Sequence, residues 1–282
     1  GMSRSAKNGI IVKSGAILER LSKIKTVAFD KTGTLTHGEP ELSAINTEKG
    51  FTANQLLQYA ASAEQQSVHV LAQALVDASS KKSIKLFTPK NLKETTAMGV
   101  AATVNGKKVM VGKAAFLTKA KISVPKTLLS GGETAVFVAV DNKFAGYITF
   151  RDRVRPEAKN MIQSLKASGV GHTMMLTGDA EATAARIAKE LKISDYTAEC
   201  LPLDKVNAVK AIKDRPVLMV GDGVNDAPVL AVADVGMAMG ARGSTAASET
   251  ADVVVLVDDI SKGSLAINIA KDTIHIALQS IW

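Results

Sequence analysis

Apolar positions along the 282-residue chain follow two different rhythms. In one, short unbroken apolar runs alternate with segments of helical period. VAFD (27–30) reads as a buried strand ending in a carboxylate. After Arg151, Pro156 opens a helix with Met161, Ile162 and Leu165 inward, and Gly169 closes it. HTMML (172–176) is a strand, and helices follow from about Ala180 to Leu191 and from about Leu203 to Lys213. PVLMV, VGMAM and ADVVVLV are further single strands. Strands alternating with helices predict a parallel, doubly wound α/β sheet, and VAFD belongs to it.

The other rhythm occupies the middle of the chain. Thr52-Ala53-Asn54-Gln55 has the form of a capping box opening a helix that carries Leu56 and Leu57, and a second helix follows from about His69 to Ala78. GVAATVNGKKVMVG then alternates apolar residues about Asn105-Gly106, and AVFVAVDNKFAGYITF repeats the pattern about Asp141-Asn142, both strong hairpin signals. Residues 46–147 are therefore expected to form an α+β module, a helix pair against an antiparallel sheet. It interrupts an α/β domain made of residues 26–45 and 148–275. Residues 1–25, basic and then helical with Ile17, Leu18, Leu21 and Ile24 on one face, read as a connector into VAFD.

Composition narrows the partners. The net charge of +8 suits solvated lysines, nucleic acid, an anionic membrane surface or a polyanionic ligand such as ATP. Aromatics are 4% and are not interleaved with basic stretches as single-strand stacking requires, so nucleic acid is not expected. The lone Cys200 excludes an internal disulfide and any multi-cysteine metal site, and fits a reducing compartment. No apolar run approaches the roughly 18–20 residues of a membrane span, and no signal peptide is visible. The chain as given is expected to be soluble and cytosolic.

Three polar clusters fall at the C-terminal ends of the predicted parallel strands: Asp30-Lys31-Thr32, Thr177-Gly178-Asp179 and Asp222-Gly223-Val224-Asn225-Asp226. Neighbouring strands bring such ends to one edge of the sheet, where open α/β sheets bind ligands. Asp30, Asp222 and Asp226 cannot share a small site ionised without a cation. Mg²⁺ suits them, because it takes hard oxygens, retained waters and substrate phosphate. Lys205 and the Thr177 hydroxyl supply the positioning and charge neutralisation that a phosphoryl group needs. Gly33, Gly178, Gly221 and Gly223 let the backbone approach it.

DKTGTLT (30–36) resembles the phosphorylation motif of P-type ATPases, cation pumps of the haloacid dehalogenase superfamily, and MLTGD, LPLDK and GDGVNDAP are similar to its companion motifs. The resemblance covers essentially the whole chain. It implies a haloacid dehalogenase-like Rossmannoid phosphorylation domain with an inserted nucleotide-binding domain, and two ligands, ATP and Mg²⁺. By the same resemblance Asp30 accepts the γ-phosphoryl of ATP. Asp30, the Thr32 backbone carbonyl and Asp222 hold Mg²⁺, with Asp226 and Asn225 in support. Thr177 and Lys205 contact the phosphoryl group, with Lys31, Thr32, Gly178 and Asn225 in the same phosphate-binding set.

Superfamily phosphatases usually place a second aspartate two residues after the nucleophile, where this chain has Thr32. Without that carboxylate to activate water the acyl phosphate should persist. In the pumps the water-activating group comes from a separate actuator domain, absent from this sequence. The chain thus looks like the large cytosolic loop of a pump, with the actuator and transmembrane domains as partners. Arg4, Lys7 and Lys13 would lie where the loop leaves the membrane. IHIALQSIW, ending at Trp282, would begin the return from about residue 276. A free-standing Mg²⁺-dependent phosphatase and a regulatory ATP-binding module are the alternatives.

The insertion of about a hundred residues resembles that of the heavy-metal pumps. Their nucleotide site has a glutamate five residues before a His-Pro pair, then Gly-x-Gly. Glu64 and His69 keep the spacing, with Val70 in place of proline. Ala97-Met98-Gly99 retains one glycine of the pair, and Gly112 follows in VMVGK. Asp152 and Arg155 resemble the hinge residues between the two domains. The transported cation would bind outside this chain, with divalent zinc, cadmium or cobalt favoured over copper.

Overall fold

The computed structural model describes residues 1–125, 133–223, 226–240 and 249–279. The chain begins with α1 (Met2–Lys7), β1 (Ile10–Val12), α2 (Gly15–Ser22) and β2 (Thr26–Asp30). Its middle runs through β3 (Thr36–Thr47), α3 (Ala53–Glu64), α4 (Val70–Lys81), β4 (Lys90–Thr95), β5 (Gly99–Val104), β6 (Lys107–Gly112), α5 (Ala114–Lys119), β7 (Thr134–Val140) and β8 (Lys143–Val154). The last part holds α6 (Ala158–Ala167), β9 (His172–Leu176), α7 (Glu181–Leu191), β10 (Asp195–Thr197), α8 (Pro202–Ala211), β11 (Val217–Gly221), α9 (Ala227–Val232), β12 (Val235–Ala238), β13 (Val253–Val255) and α10 (Ser261–Gln279).

These elements form two compact units, residues 1–38 with those from 154 onward, and Glu39–Arg153. The sequence pattern put the divisions at 45/46 and 147/148. The difference arises because β3 and β8 are both twelve-residue strands of the second sheet, reaching past the alternating apolar segment.

The first unit is a seven-stranded sheet in the order β1-β13-β12-β11-β2-β9-β10. From β13 to β10 every pairing is parallel, and β1 adds an antiparallel edge. Every residue of β2 and β11 is buried, as expected of strands covered on both faces. Val27 and Phe29, with Leu218 and Val220, pack into one core, while Ala28, Val217 and Met219 pack into the other. That alternation is the period-two geometry of a strand. Residues 1–25 are not a connector outside this unit. Their Ile-Ile-Val run pairs with β13, and Ile10 and Leu21 are fully buried.

The second unit is a six-stranded sheet in the order β3-β8-β7-β6-β5-β4. Leu56, Leu57 and Leu75 from α3 and α4 pack with Val109, Val111 and Ile148 on one face. Phe116 and Leu117 of α5 pack with Phe137 on the other. The expected capping box is present, with Thr52 Oγ1 accepting from the Gln55 amide at 3.2 Å and Gln55 Oε1 from the Thr52 amide at 3.0 Å. Both hairpins turn where expected, with positive φ at Asn105, Gly106, Asp141 and Asn142. Among the described residues no helix is long and apolar enough to cross a membrane.

Candidate functional site

In the first unit the order β11-β2-β9 sets three strand ends side by side. Asp30 is the last residue of β2 and pairs with Leu176, so Thr177 follows immediately on the neighbouring strand. Phe29 pairs with Val220, so Gly221 lies beside Asp30 with Asp222 one step beyond. The described residues of the three polar clusters therefore meet at one edge, as the strand pattern predicts. Lys205 comes from α8, and Asp226 stands immediately before α9.

Asp30 is 4% exposed and its carboxylate is ion-paired with the Lys205 ammonium. Lys205 Nζ is also 3.7 Å from Asp226 Oδ1. Burial pushes the Asp30 carboxyl above its usual value, against Lys205 and the Thr32 amide, with Asp222 adding to the rise. Asp226 is pushed up to about 7 by burial and then by the Asp30 charge. Burial alone would lower Lys205, but the bond to Asp30 and the charges of Asp30 and Asp226 hold it above the ordinary lysine value. Three carboxylates against one ammonium leave an excess of negative charge.

That excess fits a divalent cation. Asp226 Oδ2 is buried and has no hydrogen-bond partner among the described residues. A Cβ on Gly33 would lie 3.0 Å from Asp222 Oδ2, and one on Gly221 only 2.6 Å from Asp226 Oδ2, so glycine at both positions admits these carboxylates. Gly33 has φ +75°, which side chains rarely adopt. Among the described residues no three His, Cys, Asp or Glu side chains converge on one point.

Thr177 is 2% exposed and fixed by its own backbone, with its amide on Thr197 O at 3.1 Å and its carbonyl taking the Cys200 amide at 3.0 Å. Its Oγ1 accepts the Asp179 amide at 3.0 Å, which leaves the hydroxyl proton to be donated elsewhere. Gly178 and Thr32 are exposed at the same edge. Gly178, Cys200, Lys205 and Asp226 line a cavity of about 130 Å³. Lys31 is buried, and its ammonium lies 2.7 Å from Asp179 Oδ2, tying the loop after β2 to the loop after β9. The sequence grouped Lys31 with the phosphate binders and did not single out Asp179 as its partner. Asn225 lies outside the described residues.

In the second unit, Glu64 ends α3 and is 8% exposed, its carboxyl pushed up to about 7 by burial, against a hydrogen bond from Ser67, with Glu94 adding to the rise. His69 is not a residue of the second helix but its N-cap, exposed, with Nδ1 accepting the Leu71 amide at 3.2 Å. The Ser67 Oγ that bonds Glu64 also accepts the His69 amide at 3.3 Å, so Ser67 links the two. Gly99 and Gly112 are cross-strand partners in β5 and β6. A Cβ on either would lie 2.3 Å from a backbone carbonyl oxygen packed against it, Val111 O for Gly99 and Met98 O for Gly112, so packing alone requires both glycines. Ala97, two residues before Gly99, sits at φ +60°.

Asp152 is half-buried on β8 in the second unit. Arg155 belongs to the first unit, is 4% exposed, and bonds Gly33 O at 3.2 Å and Asp258 Oδ1 at 2.6 Å.

A family described as haloacid dehalogenase-like hydrolase matches residues 24–234. A zinc-transporting ATPase of Bacillus subtilis (strain 168) is 41% identical over 93% of this chain and 42% of its own length. A cadmium, zinc and cobalt-transporting ATPase of the same organism is 39% identical over 100% of this chain and 40% of its own. The crystal structure of a zinc-transporting PIB-type ATPase superposes with a TM-score of 0.88 at 36% identity, covering 99% of this chain and 46% of that one. The chain spans about two fifths of the length of the curated relatives it matches.

Proposed function

The chain belongs to the haloacid dehalogenase-like hydrolases and is homologous to cation-transporting P-type ATPases, and on that premise we propose that it is the ATP-binding, autophosphorylating cytosolic part of a heavy-metal pump. The observation that carries this reading is the Asp30–Lys205 pair at the sheet edge, with Thr177 on one neighbouring strand and Asp222 just beyond the other.

In this reading a carboxylate oxygen of Asp30 attacks the γ-phosphorus of ATP. The new bond is an acyl phosphate, the bond to the β–γ bridging oxygen breaks, and ADP leaves with the electron pair. Lys205 holds the Asp30 carboxylate toward the incoming group and then neutralises the phosphoryl oxygens. Thr177 donates its hydroxyl proton to a further phosphoryl oxygen. Asp30, the Thr32 carbonyl and Asp222, supported by Asp226, would hold Mg²⁺, which would supply neutralisation of the triphosphate charge. Lys31, in the phosphate-binding set, also braces the loop through its pair with Asp179. Thr32 offers no carboxylate to activate water, so Asp30 keeps its phosphoryl group until a second domain supplies the base.

The second unit is assigned the nucleotide, with Glu64 and His69 at the base and Gly99 and Gly112 admitting it. Since Nδ1 of His69 is occupied by the cap, Nε2 or the ring face meets adenine. Asp152 and Arg155 serve as the hinge that brings the γ-phosphate to Asp30. The actuator and transmembrane domains of a longer protein are the partners, at the cytosolic face of a membrane. A divalent zinc, cadmium or cobalt ion bound outside this chain is the cargo.

Incubation with Mg²⁺ and γ-labelled ATP followed by an acid quench tests this. An acid-stable, alkali-labile label that Asp30→Asn abolishes is the expected outcome. Rapid hydrolysis of simple phosphate esters with no trapped label would make the chain a phosphatase instead.

A further inference from the structure

Both segments that join the two units converge on Gly33. The chain leaves the first unit at Gly38, where a Cβ would lie 3.5 Å from Gly33 N and 3.6 Å from Gly33 Cα. It returns at Val154, and the next residue, Arg155, grips the same turn twice. The Arg155 amide donates to Leu35 O at 3.0 Å, and its Nη2 donates to Gly33 O at 3.2 Å. The guanidinium is also held from the far side, by Asp258 Oδ1 at 2.6 Å and Asp258 O at 3.4 Å.

Arg155 is 4% exposed, and a cation so buried is costly unless paired; Asp258 at 2.6 Å and Glu157 at 3.9 Å pair with it, while its Nε has no hydrogen-bond partner among the described residues. Here it is placed where it fixes a carbonyl only three residues from Asp30. The other side of Gly33 faces Asp222, whose Oδ2 lies 3.0 Å from where a Cβ would project. Gly33 thus sits between the Arg155 grip and one of the carboxylates of the phosphoryl site. The Asp258 carboxylate is 57% exposed and takes Nη2 through one oxygen, while the Asp258 backbone carbonyl takes Nη1.

We infer that Arg155 and Asp258 form a latch on the Lys31–Leu35 turn, and that Asp258 is a positioning residue for phosphorylation of Asp30. By bonding Gly33 O and Leu35 O, Arg155 fixes the turn that directly follows Asp30 and carries the Thr32 carbonyl. This rests on the proposed phosphorylation for its functional readout, and on geometry alone for the latch.

The test compares the wild-type chain with Asp258→Asn, a mild change at an exposed carboxylate, and with Arg155→Gln. Hydrogen–deuterium exchange over residues 31–36 is expected to quicken on the order of tenfold in Asp258→Asn, with β9 unchanged. The maximal rate of Asp30 phosphorylation is expected to fall on the order of tenfold while the KM for ATP stays within about twofold. The double variant should be no slower than Arg155→Gln, since both break one latch. Unchanged exchange at 31–36 overturns the latch whatever the labelling gives. A loss carried by KM, or one spread equally over all peptides, overturns the positioning role. Failure of the wild-type chain to label overturns the proposed function instead, and the exchange comparison then decides the latch by itself.

Discussion

The Lys205 ammonium lies 3.7 Å from Asp226 Oδ1 and also bonds Asp30, so a single cation faces two buried carboxylates. Removing it strands both. Lys205→Met is expected to destabilise the first unit by about 3–5 kcal/mol, the cost of leaving a buried charge unpaired. It is also expected to abolish phosphorylation. Mg²⁺ should raise the thermal midpoint of the variant more than that of the wild-type chain, because a bound cation replaces the missing charge. Calorimetry with and without Mg²⁺ checks this, and equal shifts would remove the carboxylates from the cation site.

Glu64 makes the second unit sensitive to pH. Its folded-state pKa is raised from 4.5 to about 7, so between these values the folded state binds the proton more tightly than the unfolded chain. Stability from this group is full below about pH 4.5 and is lost as pH rises through 7. The loss is up to about 3 kcal/mol. Urea titrations at about pH 5 and about pH 8, on either side of the folded-state value, should show the wild-type chain weaker at the higher pH when read by pulsed proteolysis within the second unit. Glu64→Gln should flatten that difference.

Two neighbouring backbone positions should respond in opposite directions. Gly112→Ala drives a methyl to 2.3 Å from Met98 O and should cost about 1–3 kcal/mol of second-unit stability. Ala97→Gly relieves a side chain held at φ +60° and should gain about 1 kcal/mol. Denaturant midpoints of the two variants test the pair. Loss of ATP binding in Gly112→Ala without loss of stability would show direct contact with the nucleotide rather than packing.

Thr32 is exposed two residues beyond Asp30. Thr32→Asp places a carboxylate where water could be activated, and the phosphoenzyme lifetime should shorten on the order of a hundredfold. Chasing labelled protein with unlabelled ATP measures it. An unchanged lifetime would mean that water, and not the base, is what the site excludes.

Much of the fold was legible because its signals are local. HTMML forms β9 over the residues expected, both hairpins turn at Asn105-Gly106 and Asp141-Asn142, and Thr52 and Gln55 make their capping box. The edge strands were missed: β1 hides in a basic stretch, β10 is three residues long, and all six residues of β4 are exposed. None carries an apolar period long enough to identify itself. The second helix, expected from about His69, starts at Val70 with His69 as its N-cap, a role that leaves no trace in the apolar pattern.

The sequence by itself determined the order of the elements and the chemistry at each strand end, because strand and turn preferences depend on a few neighbouring residues. It placed Asp30, Thr177 and Asp222 at such ends. Tertiary structure decided that β11, β2 and β9 are neighbours, that Lys205 reaches Asp30 across 175 positions, that Lys31 pairs with Asp179, and that Arg155 closes on Gly33 and Asp258. These relationships follow from burying two apolar faces of one sheet at once, a condition on the whole chain that no local stretch encodes.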